Sequence, residues 1–307
     1  MVTNATVSAI PHASIPTRAT TLTAYDGVTL ALEHMGRAGD PAIVFAHGFG
    51  QTRRAWNATA ALFARNGWHA ITADARGHGD SGRRVDGAYC HDQLIDDLAR
   101  IARVPRRAPV LVGASMGGLI GLAAEARHAP LFRAIVLVDI TPRWEADGVA
   151  RILAFMRAHP NGFASFAEAA DEIARYLPHR SERKSEASLR SLLVVGDDGR
   201  LRWHWDTRML DFIAADAERL QRDLLDAAAR IRVPVLLISG GRSDVVSVAT
   251  IDEFLAHVPQ ARHVHLEHAT HMVAGDANDA FTQAVLEFVQ TLDSKPAPSI
   301  RRHSAPG

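Results

Sequence analysis

The sequence predicts a doubly wound α/β protein on a mostly parallel sheet, with a helical cap inserted after the sixth strand. Three observations carry that expectation. Short apolar runs of strand length alternate with stretches of helical period. Several runs are continuous in Val, Ile and Leu, as strands covered on both faces require. One connection, residues 141–230, is far longer than the about 2–6 residues of an ordinary crossover. A chain of 307 residues, 47% hydrophobic and 22% charged, can bury the core such a fold needs.

Taken in order, residues 1–19 mix Thr, Ser, Ala and Pro without a period and read as a flexible N-terminus. Strands are expected at 28–34, 42–46, 70–73, 110–113, 134–138, 235–239 and 263–266. The opening strands precede Asp40-Pro41 with no helix between them, which suits an antiparallel edge. Helices are expected at 55–65, 94–102, 116–127, 251–258 and 277–292. In the last, Phe281, Val285, Phe288 and Leu292 fall on one stripe. The core is thus assigned to 20–140 and 231–293, and the cap to 141–230. Within the cap, helices are expected at 148–159, 166–176 and 185–194, beside the aromatic patch Trp203-His204-Trp205. The tail, 294–307, carries three prolines and Arg301-Arg302-His303 and reads as flexible.

Lys plus Arg and Asp plus Glu are both 34, so no global field draws the protein to nucleic acid or an anionic membrane. A single cysteine, Cys90, excludes an intrachain disulfide scaffold and favours a reducing compartment. No basic start with an apolar run marks a signal peptide, and no run reaches transmembrane length. The expectation is a cytoplasmic protein acting on a small molecule.

Chemistry enters at Gly113-Ala114-Ser115-Met116-Gly117, a G-x-S-x-G pattern placed after the buried run Val110-Leu111-Val112 and opening a small-residue helix. A serine at a sharp strand-to-helix turn leaves no room for side chains two residues to either side, hence glycine at both places. The helix N-terminus then points N–H groups at the charge that attack creates.

These residues resemble the α/β-hydrolase superfamily, and further landmarks fall in its order. His47-Gly48-Phe49-Gly50 resembles the oxyanion loop, and Asp74-Ala75-Arg76-Gly77-His78-Gly79-Asp80-Ser81 resembles the turn after the next strand. The resemblance implies an oxyanion hole from the N–H groups of Phe49 and Met116, with His47 and the Asp74–Ser81 turn as scaffold. Ala114 stands where relatives more often carry His, a change expected to alter the pocket floor.

A serine hydroxyl needs a neutral imidazole to take its proton. Among 16 histidines, His271 lies past the last strand and before the final helix, with His268 as competitor. His263 and His265 alternate along a strand, and a metal cluster of these histidines lacks carboxylate or cysteine support. For the acid, Asp244 follows the strand at 235–239 in Gly240-Gly241-Arg242-Ser243-Asp244, giving the order Ser115, Asp244, His271. Asp139, ending the strand at 134–138, is the alternative acid or a pocket residue.

The expected chemistry is hydrolysis of a carboxylic ester or lactone through an acyl-enzyme, without metal or organic cofactor. Alternatives on the same residues are C–C bond hydrolysis, a cofactor-free perhydrolase (haloperoxidase) reaction, and a receptor-like ligand-binding role with little turnover. Serine at the elbow argues against epoxide hydrolase or haloalkane dehalogenase chemistry, which the resemblance links to aspartate there. Trp144, Phe155, Met156, Trp203, Trp205 and Phe212 are candidates for an apolar lid over the pocket.

Overall fold

The apolar runs become strands of one sheet whose alternate residues serve opposite faces. The computed structural model describes residues 15–178, 183–214, 217–276 and 278–292. In chain order these form β1 Thr17–Thr23, β2 Thr29–Met35, β3 Ala42–Ala46, α1 Asn57–Arg65, β4 His69–Ala73, α2 His91–Ala102, β5 Val110–Ala114, α3 Met116–His128 and β6 Ala134–Val138. Then come α4 Ala146–Arg157, α5 Phe166–Tyr176, α6 Glu186–Leu189, β7 Leu193–Val195, β8 Leu201–Trp203, α7 Met209–Ala214 and α8 Ala217–Ala229. The chain closes with β9 Val235–Gly240, α9 Val248–His257, β10 Ala261–Leu266, α10 Val273–Asp276 and α11 Asn278–Gln290.

Eight strands lie in the order β1-β2-β4-β3-β5-β6-β9-β10. β1 with β2 and β2 with β4 are antiparallel; the pairs from β4 through β10 are parallel. The period-2 alternation sorts the core. Val44, Leu111, Ile135 and Leu137 pack on one face with Leu94 and Leu98 of α2, Leu122 of α3 and Phe254 of α9. Phe45, Val112, Val136 and Ile238 pack on the other with Phe63 of α1 and Phe281, Val285 and Phe288 of α11. Each such side chain contributes about 1.5–3 kcal/mol by leaving water. Helices on both faces of a mostly parallel sheet are the fold class expected.

Two expectations need correction. Residues 17–19, assigned to a flexible terminus, belong to β1, which pairs along its whole length with β2. β1 is mostly exposed and Thr-rich, so backbone pairing holds it and no hydrophobic pattern announces it. Residues 1–14 and the tail 294–307 lie outside the described residues. In the cap, the helix expected at 185–194 ends at Leu189, and Leu193–Val195 instead pairs with Leu201–Trp203 as a hairpin. The turn residues Gly196-Asp197-Asp198-Gly199 close that hairpin, with Gly196 N–H donating to Arg200 O at 2.8 Å. The cap has a core of its own around Phe163, Ile173, Leu189 and Leu201. α8, unforeseen in the sequence, packs on α3 and α9.

One buried ion cluster stiffens the first crossover. Arg76, only 2% exposed, donates from Nε to Asp97 at 2.6 Å and from Nη1 to Asp26 at 2.7 Å. Burial holds the Asp97 carboxyl above the usual carboxylate range. Arg76→Leu strands that carboxylate, and is expected to cost about 3–5 kcal/mol, read as a lower urea midpoint. A shift under about 1 kcal/mol would show that water reaches Asp97 readily.

Candidate active site

The elbow takes its shape from close backbone approach. A Cβ on Gly113 would meet Gly118 N at 2.6 Å, and one on Gly117 would meet Ala46 O at 2.5 Å. Only glycine lets β5 turn into α3 against β3 here. Ser115 is thereby held at φ 46° and ψ −118°, a conformation L residues rarely adopt. Among the described residues only one other non-glycine residue has positive φ, and it is Asp139, at 49°. Both follow directly on adjacent parallel strands, β5 and β6.

Asp139 is fully buried and its carboxylate accepts from three donors. Oδ1 accepts from Gly240 N–H at 2.7 Å. Oδ2 accepts from Ser243 Oγ at 2.5 Å and from His271 Nδ1 at 2.7 Å. Because a carboxylate can only accept, the proton of His271 sits on Nδ1 and leaves Nε2 as a proton acceptor. Ser115 and His271 line the same cleft, of about 440 Å³.

The structure separates the two candidate carboxylates. The carboxylate on His271 belongs to Asp139, and Asp244 pairs instead with Arg151 of α4 at 2.7 Å, both side chains a third or more exposed. Asp244 lies four residues past β9, where the loop has already turned toward the cap. Asp139 comes straight off β6, next to the strand that carries Ser115. The loop near Asp244 still contributes Ser243, which the sequence did not single out. His268, the competing base, is exposed. His263 and His265 both meet Ser239 Oγ, at 2.8 and 3.2 Å.

The loop after β3 is clamped by three buried imidazoles. His47 Nε2 accepts from Ala75 N–H at 3.0 Å, and its Nδ1–H donates to Gly48 O at 2.8 Å. His78 Nε2 accepts from Gly50 N–H at 3.1 Å, and its Nδ1–H donates to Arg76 O at 3.1 Å. His204, from the cap, accepts at Nδ1 from Gly79 N–H at 3.0 Å and donates from Nε2 to Gly50 O at 3.3 Å. Each ring thus faces one amide donor and one carbonyl, which only the neutral form satisfies. Burial pushes all three below their ordinary range, His204 to about 4. Phe49, one residue before Gly50, packs its ring on His78 and Trp205 at centroid distances of 5.2 and 4.9 Å. No described hydrogen bond uses the N–H of Phe49 or of Met116.

The Asp74–Ser81 turn is internally tied. Asp74 accepts from Arg53 N–H at 2.7 Å and Asp80 N–H at 2.9 Å, and pairs with the Arg53 guanidinium. Ser81 Oγ donates to Asp74 O at 2.7 Å. His47 and this turn accordingly hold the loops in place. The signal for the roles of His78 and His204 was available only as a histidine in the turn motif and another between two tryptophans.

Of the lid candidates, Phe155, Met156 and Trp203 line the 440 Å³ cleft with Ala114, while Trp144 lines a second cavity that also reaches Ser115. Trp205 is 2% exposed and buttresses Phe49. The Phe212 side chain lies outside the described residues. Cys90, the single cysteine, is exposed just before α2. No helix among the described residues is long and apolar enough to cross a membrane.

With fold and geometry in hand, the chain belongs to the α/β-hydrolase family: the model of the α/β hydrolase fold matches residues 41–277. It is 30% identical over 274 residues to an sn-1-specific diacylglycerol lipase of Mus musculus, covering 83% of this chain and 82% of that one. It is 28% identical to an esterase of Mycobacterium tuberculosis, covering 86% and 87%. The solved structure of E-2-(acetamidomethylene)succinate hydrolase superposes with a TM-score of 0.75 at 24% identity, covering 90% of this chain and all of that one, a likeness of fold alone. The protein is thus an enzyme of the α/β-hydrolase type.

Proposed function

We propose that this enzyme is a serine hydrolase that cleaves a carboxylic ester or lactone through an acyl-enzyme on Ser115. The observation that carries the reading is the His271 Nδ1 to Asp139 Oδ2 hydrogen bond of 2.7 Å, on a ring that shares a cleft with Ser115. Ser115 Oγ attacks the carbonyl carbon while His271 Nε2 takes the hydroxyl proton. The carbonyl oxygen gathers negative charge and is met by the N–H groups of Phe49 and Met116. Collapse breaks the bond to the alcohol oxygen, which leaves with the proton from Nε2. A water then gives a proton to Nε2 and its oxygen to the acyl carbon, releasing the acid and restoring Ser115. Asp139 stays ionised throughout and steadies the imidazolium. Two relatives named as a diacylglycerol lipase and an esterase support ester chemistry. The exposed single thiol of Cys90 suits a reducing setting, so we place the enzyme in the cytoplasm.

A fluorophosphonate probe tests the reading, since it captures only a serine activated as a nucleophile. Peptide mapping is expected to find one adduct, on Ser115. An adduct on another residue, or none while the protein is folded, would contradict the proposal.

A further inference from the structure

Two cavities meet at Ser115, and they differ in one respect that matters for chemistry. The cleft of about 440 Å³ contains both Ser115 and His271 and has mixed walls, with Thr52, Arg54 and Ser191 among Phe155 and Ile173. The second cavity, of about 340 Å³, contains Ser115 and Met116 but not His271. Its walls are Leu119 and Ile120 of α3, Val149 and Leu153 of α4, and Leu224 of α8. His91, Glu218 and Gln221 are there too, Gln221 with its Oε1 already taken by Trp144 N–H at 3.2 Å.

Ester cleavage gives the two cavities different occupants. The departing alcohol oxygen must receive its proton from the imidazole, so the alcohol lies in the cavity that His271 lines. The acyl group remains bonded to Ser115 Oγ with its carbonyl oxygen toward Met116 N–H, and its chain has the other cavity to enter. An alkyl chain there gives up its water to five aliphatic side chains. We propose that the substrate is an open-chain ester whose acyl part is an extended apolar chain, housed between α3, α4 and α8. This deepens the serine-hydrolase reading and rests on it.

The test is a series of p-nitrophenyl esters from acetate to dodecanoate, with the leaving group held constant. For the wild-type enzyme, kcat/KM is expected to rise at least about tenfold from acetate to octanoate. Val149→Trp fills the acyl cavity and is expected to lower the octanoate-to-acetate ratio at least about tenfold. Ser191→Trp narrows the other cleft and should leave that ratio within about twofold. A wild-type series that is flat or falls with chain length overturns the assignment by itself, even if Val149→Trp does not fold. So does a Val149→Trp enzyme that loses all esters equally. Labelling of Ser115 by the fluorophosphonate in the same preparation separates the two levels. Labelling with a flat series overturns only the acyl pocket, whereas no labelling and no hydrolysis overturn the hydrolase reading and the pocket together.

Discussion

Asp139→Asn is expected to lower kcat for ester hydrolysis by about four orders of magnitude, whereas Asp244→Asn changes it by less than about twofold. The asymmetry follows from what each carboxylate touches. Asp139 accepts from Gly240 N–H, Ser243 Oγ and His271 Nδ1 in a fully buried setting. Asparagine can keep the Gly240 bond with its oxygen, but then presents N–H to His271. The ring answers by moving its proton to Nε2, where it can no longer take the serine proton. Size and shape barely change, so the fold should survive, and far-UV circular dichroism with a thermal melt checks that it does. Asp244 meets Arg151 at a half-exposed pair worth at most about 1 kcal/mol. Initial rates on a p-nitrophenyl ester read both variants. A large loss in Asp244→Asn with little in Asp139→Asn would return the acid to the loop after β9.

Acid unfolding is the second large effect. The structure is expected to lose stability steadily as pH falls from about 6.5 to 4, beginning above the range where ordinary carboxylates titrate. His34 and His204 are both lowered from an ordinary 6.5 to about 4, in each case first by burial. Between those values the unfolded chain binds protons that the folded chain refuses, so stability rises with pH across the window and is lost on acidification. Each shift corresponds to about 3 kcal/mol over the window. His47, His69 and His78 are shifted the same way and add to the slope. The cause is local: His78 accepts from Gly50 N–H and His204 from Gly79 N–H, so protonating those nitrogens breaks both bonds and loosens the loop. Urea midpoints at intervals from pH 7.5 to 4 measure it. A flat profile down to pH 4.5 would mean that the rings already admit water or protons in the folded state.

Much of this was legible in the residues. The elbow could be read because its glycines answer a demand of backbone approach that lies within five consecutive residues. His271 could be read because its position after the last strand singles it out among 16 histidines. Apolar continuity placed seven strands of the main sheet to within about two residues. β1 was missed because an exposed Thr-rich strand is held by hydrogen bonds and leaves no apolar pattern. The start of β7 was read as the end of a helix, and β8 went unread, because three-residue strands are too short for either period to assert itself.

The choice between Asp139 and Asp244 shows where local pattern ends. Both follow apolar strands, both sit at the carboxyl side of the sheet, and both come before His271 in the chain. What separates them is the direction of a side chain: positive φ at Asp139 turns its carboxylate under the imidazole, while Asp244 is drawn to an arginine on a cap helix. The same holds for His204, brought from the cap onto Gly50 across 154 residues of chain. The sequence by itself determined the layered sheet and the sharp turn at Ser115, and singled out His271, because each depends on periodicity or contact between near neighbours. Only the tertiary structure decided which carboxylate meets His271, the histidine clamp on the loop after β3 and the two cavities at Ser115, because those are set by distances between segments far apart in the chain.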